Sequence, residues 1–310
     1  MRTALRIPFL AVALLALAGC EFEDWGAVER RSQDFHFNYP LKSGSRLSVE
    51  SFNGSIEISG WDQETVDISG TKYAGSDDLL AALKIDIQNS ADSVYIRAVR
   101  PSSYRGNVGA KFVIKVPRNC QLDRVVSSNG PVRTIDVGGP ARLKTSNGPI
   151  RAQNVGGTLD AQTSNGSIEA NNISGSAYLH TSNGSVRADD VRGGVEAVTS
   201  NSSVHVNLTK AEPGKAIRLE TSNGGVELTL PADVRNDVRV TTNNSGITVH
   251  APAGLNARLS ARTSNSRITS DFEVKMQGEI SKSRLEGTIG SGGPMVELTT
   301  SNGSIRLLRL

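Results

Sequence analysis

The sequence predicts an all-β protein, a β-solenoid whose coils are about 18–22 residues long, with one short helix near its N-terminal end. Three observations support this prediction. A Ser-Asn-Gly motif recurs at 18-residue steps, short segments alternate apolar and polar residues, and aromatic residues make up only 5% of the 310 residues. Period-two alternation indicates strands with one buried face, and few aromatic residues suit a thin core.

The chain begins with the features of a secretory signal. Arg2 and Arg6 precede an apolar run, Ile7 to Ala18, which is too short to span a bilayer comfortably. The following Leu-Ala-Gly-Cys ends at Cys20 and resembles the lipobox of bacterial lipoproteins, in which the peptide is cut before a cysteine that then carries lipid. The alternative is an ordinary secreted protein in which this cysteine occurs by chance.

The resemblance implies a location and a division of the chain. Glu21, rather than Asp, follows the cysteine, which resembles the outer-membrane default of Gram-negative lipoproteins. We therefore expect an outer-membrane lipoprotein of the cell envelope that faces the periplasm or the cell surface. The expected segments are a signal peptide (1–19), a lipidated tether (20–36) and a solenoid domain (37–310), whose residues 37–125 are irregular and cap-like and whose residues 126–310 repeat regularly.

Signal cleavage changes what the charge and the cysteines imply. It removes Arg2 and Arg6 but no acidic residue, so the formal net charge falls from +3 to +1. A nearly neutral mature chain gives no support for a nucleic-acid partner. Once Cys20 carries lipid, Cys120 has no partner for a disulfide within the chain, and a lone thiol of this kind is usually buried and inert.

The internal repeat is the strongest signal in the chain. Three copies, 145–162, 163–180 and 181–198, align with apolar residues at equivalent positions and mostly polar residues between them. The parity of the alternation changes twice in each copy, so each unit holds two short strands and two corners. The motif asparagines, in chain order, are Asn129, Asn147, Asn165, Asn183 and Asn201 at strict spacing, then Asn223, Asn244, Asn265 and Asn302, with an early copy at Asn53.

Two architectures fit two strands per unit. Asn-Gly pairs favour tight hairpins and therefore an antiparallel meander. A solenoid explains the repetition better, because neighbouring coils place equivalent residues above one another at the strand spacing of about 4.8 Å. We therefore favour the solenoid.

Stacking gives the motif a structural role. The asparagines share the parity of the inward residues, and aligned amides can donate to one neighbour and accept from the other as a ladder. The following glycines are expected to allow a positive φ at a sharp corner. The ladder residues are predicted as Asn129, Asn147, Asn165, Asn183, Asn201 and Asn223, and the turn glycines as Gly130, Gly148, Gly166, Gly184, Gly224 and Gly303.

The first part of the domain lacks the strict period. It alternates as strands around Leu47–Val49, 55–59, 65–71, 85–88, 93–99 and 110–116, and an acidic start predicts one short helix over 77–83. An irregular part of this kind suits a cap over the solenoid edge.

The order of these motifs resembles one bacterial family. Phe52-Asn53-Gly54-Ser55-Ile56, Gly60-Trp61, the acidic helix, Ile114-Lys115-Val116-Pro117 and the serial Ser-Asn-Gly coils look like the putative-adhesin domain family, which is related to the GIN head domain of putative autotransporter adhesins. The resemblance covers about residues 37–310. It implies a right-handed β-helix-like fold on envelope or surface proteins and supplies no catalytic residue.

The residues themselves give little sign of catalysis. His36, His180, His205 and His250 lack metal-ligand spacing, so we expect neither a metal site nor a cofactor. In the longer loops, Asp233, Arg235 and Asp237 could meet Glu212 across adjacent coils, and they are the best candidates for a carbohydrate-active enzyme, which is one alternative.

The expected function is a lipid-anchored, non-catalytic, adhesin-like binding or scaffold module. Its anchor would be the membrane, and its ligand a glycan or an envelope protein. Outward charges such as Arg151, Glu169 and Arg187 would form rows across neighbouring coils. The second alternative is an envelope protein that self-associates, because the last repeat copy at 302–310 is followed by no cap and must pair with something or be covered by a preceding segment.

Overall fold

The computed structural model describes residues 31–102, 107–276 and 281–310, so the predicted signal peptide and Cys20 lie outside the described residues. These residues form one short helix and 27 strands. The helix is α1 (Asp77–Ala82). The strands are β1 (Arg31–Pro40), β2 (Arg46–Ser51), β3 (Ile56–Trp61), β4 (Thr65–Ala74), β5 (Lys84–Asn89), β6 (Ser93–Val99), β7 (Gly109–Pro117), β8 (Gln121–Ser127), β9 (Val132–Val137), β10 (Ala141–Thr145), β11 (Ile150–Val155), β12 (Leu159–Gln162), β13 (Ile168–Ile173), β14 (Ala177–His180), β15 (Val186–Val191), β16 (Val195–Val198), β17 (Val204–Asn207), β18 (Ile217–Glu220), β19 (Val226–Thr229), β20 (Val238–Thr241), β21 (Ile247–Ala251), β22 (Ala257–Arg262), β23 (Ile268–Ser270), β24 (Val274–Met276), β25 (Arg284–Ile289), β26 (Met295–Thr299) and β27 (Ile305–Arg309).

The strands form two long sheets, and each regular coil contributes one strand to each. Sheet 1 has the order β1-β4-β7-β3-β9-β11-β13-β15-β17-β19-β21-β27-β23. Sheet 2 has the order β24-β25-β22-β26-β20-β18-β16-β14-β12-β10-β8-β2-β6-β5. Neighbouring strands of the regular coils are parallel, which confirms the predicted β-solenoid and excludes the meander.

The repeat sets the register between coils. Ile150 pairs with Ile168, which in turn pairs with Val186, so each coil is displaced by the 18 residues of the sequence period. The inward columns consist mostly of Ile, Val, Leu and Ala, and they are almost completely buried between the sheets. Phe112 is the one aromatic residue among the largest fully buried side chains, which agrees with the thin core predicted from composition.

The N-terminal part caps the stack, and its coils do not follow chain order. β2 and β3 lie directly against β8 and β9, whereas the later strands β6 and β7 lie beyond them. β1, β4 and β5 add antiparallel pairs at this end. β1 begins at Arg31, so residues 31–36 of the expected tether lie in the first strand of sheet 1. Helix α1 is N-capped by Ser76, whose hydroxyl accepts from the backbone N–H of Leu79.

Chain order is also broken at the other end. β26 lies between β20 and β22, and β27 lies between β21 and β23. The last repeat copy is therefore an inner coil of the stack. The preceding segment, β22 to β25, covers it and ends in two antiparallel pairs. The last repeat copy was expected either to pair with something or to be covered by a preceding segment, and the structure shows the second arrangement.

Candidate binding surface

The Thr-Ser-Asn-Gly motif, or a near variant of it, forms one corner of every regular coil. In the unit that begins at Thr163, the threonine and Gly166 are buried, whereas Ser164 and Asn165 are exposed. The prediction that the asparagines share the inward face was therefore wrong, because the chain turns after the threonine and the period-two alternation ends there. The amides lie along an outer edge of the solenoid rather than in its core.

The asparagine amides form a continuous ladder along this edge. The Nδ2 group of Asn165 donates to Oδ1 of Asn147 at 2.7 Å, and Asn183 donates to Asn165 at the same distance. The ladder has ten rungs and nine such bonds of 2.6–2.8 Å. In spatial order the rungs are Asn53, Asn129, Asn147, Asn165, Asn183, Asn201, Asn223, Asn244, Asn302 and Asn265.

The buried threonines form a second row of hydrogen bonds inside the corner. The hydroxyl of Thr163 donates to the carbonyl oxygen of Gly148 in the neighbouring coil at 3.0 Å. The same hydroxyl accepts from the backbone N–H of Gly166 at 3.3 Å. The threonine therefore pairs backbone groups of its own corner and of the next coil that would otherwise be buried without partners.

The turn glycines are required for a reason other than the predicted one. None of the six has a positive φ, so that part of the prediction was wrong. Each lies against the backbone of the neighbouring coil, and a Cβ placed on Gly166 would lie 1.9 Å from the carbonyl oxygen of Gly148. The six predicted positions, Gly130, Gly148, Gly166, Gly184, Gly224 and Gly303, all have such a contact, at 1.8–2.1 Å.

A second column of side chains escaped the sequence analysis. Asp136, Asn154, Asn172 and Asp190 have φ values of 53–58°, the left-handed region, and they recur at 18 residues. Asn154 donates to Asp136 at 2.6 Å and Asn172 donates to Asn154 at 2.8 Å. Asn and Asp adopt this conformation more readily than other non-glycine residues, which explains the change of parity within each unit. The 18-residue recurrence of Asp or Asn before Val or Ile was the signal that could have shown it.

Serines of the motif present a row of free hydroxyls beside the ladder. We call this the serine row: Ser128, Ser146, Ser164, Ser182 and Ser200, all of which are exposed. Among the described residues, none of these hydroxyls has a hydrogen-bond partner in the protein. Each neighbouring asparagine also uses only part of its amide in the ladder. The corner therefore offers unused donors and acceptors at every coil.

The outward charges on sheet 1 pair locally. Arg151 donates to Glu169 on the next strand at 2.9 Å, as a charge row predicts, but Arg187 turns to Asp189 of its own strand at 2.7 Å. The histidines lie beside single carboxylates, and the described part of the chain contains no group of three or more His, Cys, Asp or Glu able to hold a metal ion.

Two of the acidic loop residues considered for catalysis take part in hydrogen bonds with the framework, Glu212 through its backbone carbonyl and Asp237 through its side chain. Asn236, which is almost completely buried, donates to the backbone carbonyls of Glu212 and Lys215 at 2.6 and 2.7 Å. Asp237 accepts from the backbone N–H of Met295 at 2.8 Å. Cys120 is buried, and burial raises the pKa of its thiol to about 12, so the thiolate is strongly disfavoured.

Comparison with known proteins identifies the family. The model of the Toastrack DUF4097 family matches residues 44–308, and the chain belongs to this family. No curated protein matches the chain. Within the described residues, no helix is long and apolar enough to cross a membrane.

Three solved structures are similar at low identity. A putative adhesin from Parabacteroides merdae shares 9% identity over 89% of this chain and 96% of its own, with a TM-score of 0.39. One from Bacteroides fragilis shares 12% over 90% and 97%, with a TM-score of 0.29. A putative cell adhesion protein from Clostridium sporogenes shares 10% over 90% and 100%, with a TM-score of 0.24. Because these scores are below 0.5, the family assignment depends on the family model and the repeat.

Proposed function

We propose that this chain is a lipid-anchored protein of the cell envelope whose solenoid is a non-catalytic, adhesin-like binding or scaffold module. The observation that carries the proposal is the serine row beside the asparagine ladder. It repeats free hydroxyls and partly used amides at the strand spacing of about 4.8 Å along one rigid edge.

Such an array suits weak contacts made many times over. A single hydroxyl or amide contributes little to binding in water. Because the coils hold these groups at fixed positions, a ligand that contacts one coil can contact the next ones without a further loss of its orientational freedom. A linear ligand with repeated polar groups, such as an envelope glycan, can match many rungs at once. The names of the similar solved structures are consistent with an adhesin-like role.

The anchor part of the proposal depends on the signal segment and Cys20. Palmitate labelling of cells that produce the natural chain should mark the protein, and Cys20→Ala should abolish the label and release the protein from the outer-membrane fraction. A label that persists in the Cys20→Ala variant, or unchanged membrane association of that variant, would disprove lipid anchoring at this residue.

The binding part is tested on a glycan array with the full chain in detergent. Replacing Ser146, Ser164 and Ser182 with alanine should lower binding while the ladder amides remain in place. A matched variant with three alanines at Ser32, Ser48 and Ser59, away from the corner, should bind as the natural chain does. Equal binding by both triple variants would exclude the serine row as the contact surface, and turnover of any glycan would favour the enzyme alternative.

A further inference from the structure

The outer face of sheet 2 carries an exposed aromatic residue in the middle of the solenoid. Tyr178 lies on β14, points outward and is 45% exposed. Its cross-strand neighbours on the same face are Asp160 on β12 and Glu196 on β16. Acidic residues therefore occupy the backbone positions on both sides of Tyr178, two strand spacings or about 9.6 Å apart.

A second row of polar groups lies between this ring and the serine row. Gln162, His180 and Lys144 are outward residues on β12, β14 and β10, in register with one another. The Gln162 amide donates to Asp160 at 3.1 Å, and Nε2 of His180 lies 3.6 Å from Glu196. Lys144 has no ion-pair partner among the described residues.

A shallow groove lies on the β8 side of Asp160, the neighbour of Tyr178, and the ring itself is not among the lining residues. Its two halves have volumes of about 290 and 210 Å³ and share Asp123, Arg142 and Asp160 as lining residues. Lys144 and Gln162 line the larger half. Because Asp160 also neighbours Tyr178, the groove and the aromatic ring form one surface, which extends from β8 to β16 over roughly 19 Å.

We propose that this surface is a subsite for a neutral, hydroxyl-rich oligosaccharide, an inference that rests on the proposed binding function and assigns its ligand class. The Tyr178 ring gives an apolar platform for the C–H face of one sugar ring. Asp160 and Glu196 accept hydroxyl hydrogens on either side of that ring, and Gln162 and Lys144 donate to sugar oxygens. Sugar units beyond the stacked ring occupy the groove toward Asp123.

The charge pattern favours this ligand over a charged polymer. On this surface Arg142 is basic, whereas Asp160 and Glu196 are acidic. The Arg142 guanidinium already lies 3.4 Å from the Asp123 carboxylate. A polyanion such as a nucleic acid needs a surface of one sign. Mixed carboxylate, amide and cationic groups around one aromatic ring instead suit a ligand that both donates and accepts hydrogen bonds without net charge.

The test measures calorimetric binding of chitotetraose, cellotetraose and maltotetraose to the full chain in detergent. For any tetrasaccharide that binds, Tyr178→Ala should weaken affinity about tenfold, which corresponds to about 1.4 kcal/mol. Tyr178→Phe, which keeps the ring, should bind as the natural chain does. The control Val113→Ala removes an exposed apolar side chain from sheet 1 and should leave affinity unchanged. Unchanged melting temperatures verify that the variants fold.

The outcomes separate this inference from the proposed function. Binding that Tyr178→Ala leaves intact but the triple serine variant abolishes would overturn this subsite and keep a binding module. Binding to the glycan array, without binding of any of the three tetrasaccharides at millimolar concentration, would also overturn only the subsite. The absence of binding in both experiments would overturn the subsite together with the glycan-binding part of the proposed function.

Discussion

At the scale of single residues, Asn165 shows how an exposed side chain can stabilise the fold. It donates to Asn147 and accepts from Asn183, each at 2.7 Å. Asn165→Leu removes both bonds and leaves two neighbouring amides without a partner on one side. At about 0.5–1.5 kcal/mol for each bond, we expect the free energy of unfolding to fall by about 1–2 kcal/mol.

Chemical denaturation of Asn165→Leu measures this loss. Ser164→Ala is the matched control, because its exposed hydroxyl has no partner among the described residues and its removal should change stability by less than about 0.5 kcal/mol. A loss below about 0.5 kcal/mol for Asn165→Leu would show that the hydrogen bonds of the ladder do not stabilise the fold.

Gly166 makes a different prediction, since its role is close packing. Gly166→Ala places a Cβ against the Gly148 carbonyl oxygen, and both groups belong to backbones that strand pairing holds in place. Overpacking of this kind costs about 1–3 kcal/mol or more. Gly75→Ala is the control, because no atom lies within 4 Å of the added methyl group. Equal melting temperatures for the two variants would contradict the close-approach explanation.

The sequence predicted which residues form the corner but not the physical role of each. The recurrence of residue types every 18 residues identified the asparagines and glycines, because equivalent positions of successive coils have the same surroundings and therefore require similar residues. Period-two parity could not be extended through the turn, so Asn165 was placed on the wrong face. The glycine constraint came from a neighbouring coil, for Gly166 a contact 18 residues away in sequence. The column of Asn154 was signalled by the recurrence of Asp or Asn, but its left-handed φ values were not.

At the scale of strands, the regular elements could be predicted because repetition fixes both pairing and register. β11, β13 and β15 pair at the positions where the three aligned copies coincide. The antiparallel pair of β22 and β25 was outside this pattern, because the segment of β25 contains only a degenerate form of the motif, Ser281-Lys282-Ser283. Its contacts are instead specific side-chain pairs that the sequence alone does not reveal.

Glu286 on β25 is the centre of such a contact. It accepts from Arg262 Nε on β22 at 3.0 Å and from Arg284 Nη2 at 2.8 Å. The hydrogen bonds from Arg284 and Arg262 lower the pKa of Glu286 from 4.5 to about 2. A carboxyl whose pKa is lower in the folded state stabilises the fold above the unfolded-state pKa and loses that effect as the pH falls toward 2.

A comparison of Glu286→Gln with the natural chain isolates this group. The urea midpoint of the natural chain should exceed that of the variant above about pH 5, and most of the difference should be lost as the pH falls from about 4.5 toward 2. Glu273→Gln, which removes one charge from an exposed acidic residue of the same end region, is the matched control for the change of net charge. A difference between Glu286→Gln and the natural chain that stays constant from pH 5 to pH 2 would contradict the ion-pair explanation.

At the scale of the whole molecule, the order of coils is the feature that the sequence did not predict. Asn244, Asn265 and Asn302 lie in similar but not identical corner sequences, Thr-Asn-Asn-Ser, Thr-Ser-Asn-Ser and Thr-Ser-Asn-Gly, so the presence of the ladder asparagine alone does not fix the order of these three coils. The 21-residue step from Asn244 to Asn265 even favours direct stacking. The covering pairs of β24 and β25 explain why the last coil lies inside, because they protect the strand edges that would otherwise be exposed.

Cysteine pairs distinguish the two orders. Glu297 on β26 lies beside Arg239 on β20 and beside Ser260 on β22, so oxidation should cross-link Glu297→Cys with either Arg239→Cys or Ser260→Cys. Parallel neighbours about 4.8 Å apart are within disulfide reach, whereas Arg239 and Ser260 are about 9.6 Å apart and should not react. Cys120 is buried with a raised thiol pKa and should not interfere. Because direct stacking would bring Arg239 and Ser260 together, a cross-link between cysteines at these two positions would show that the last coil does not lie between them.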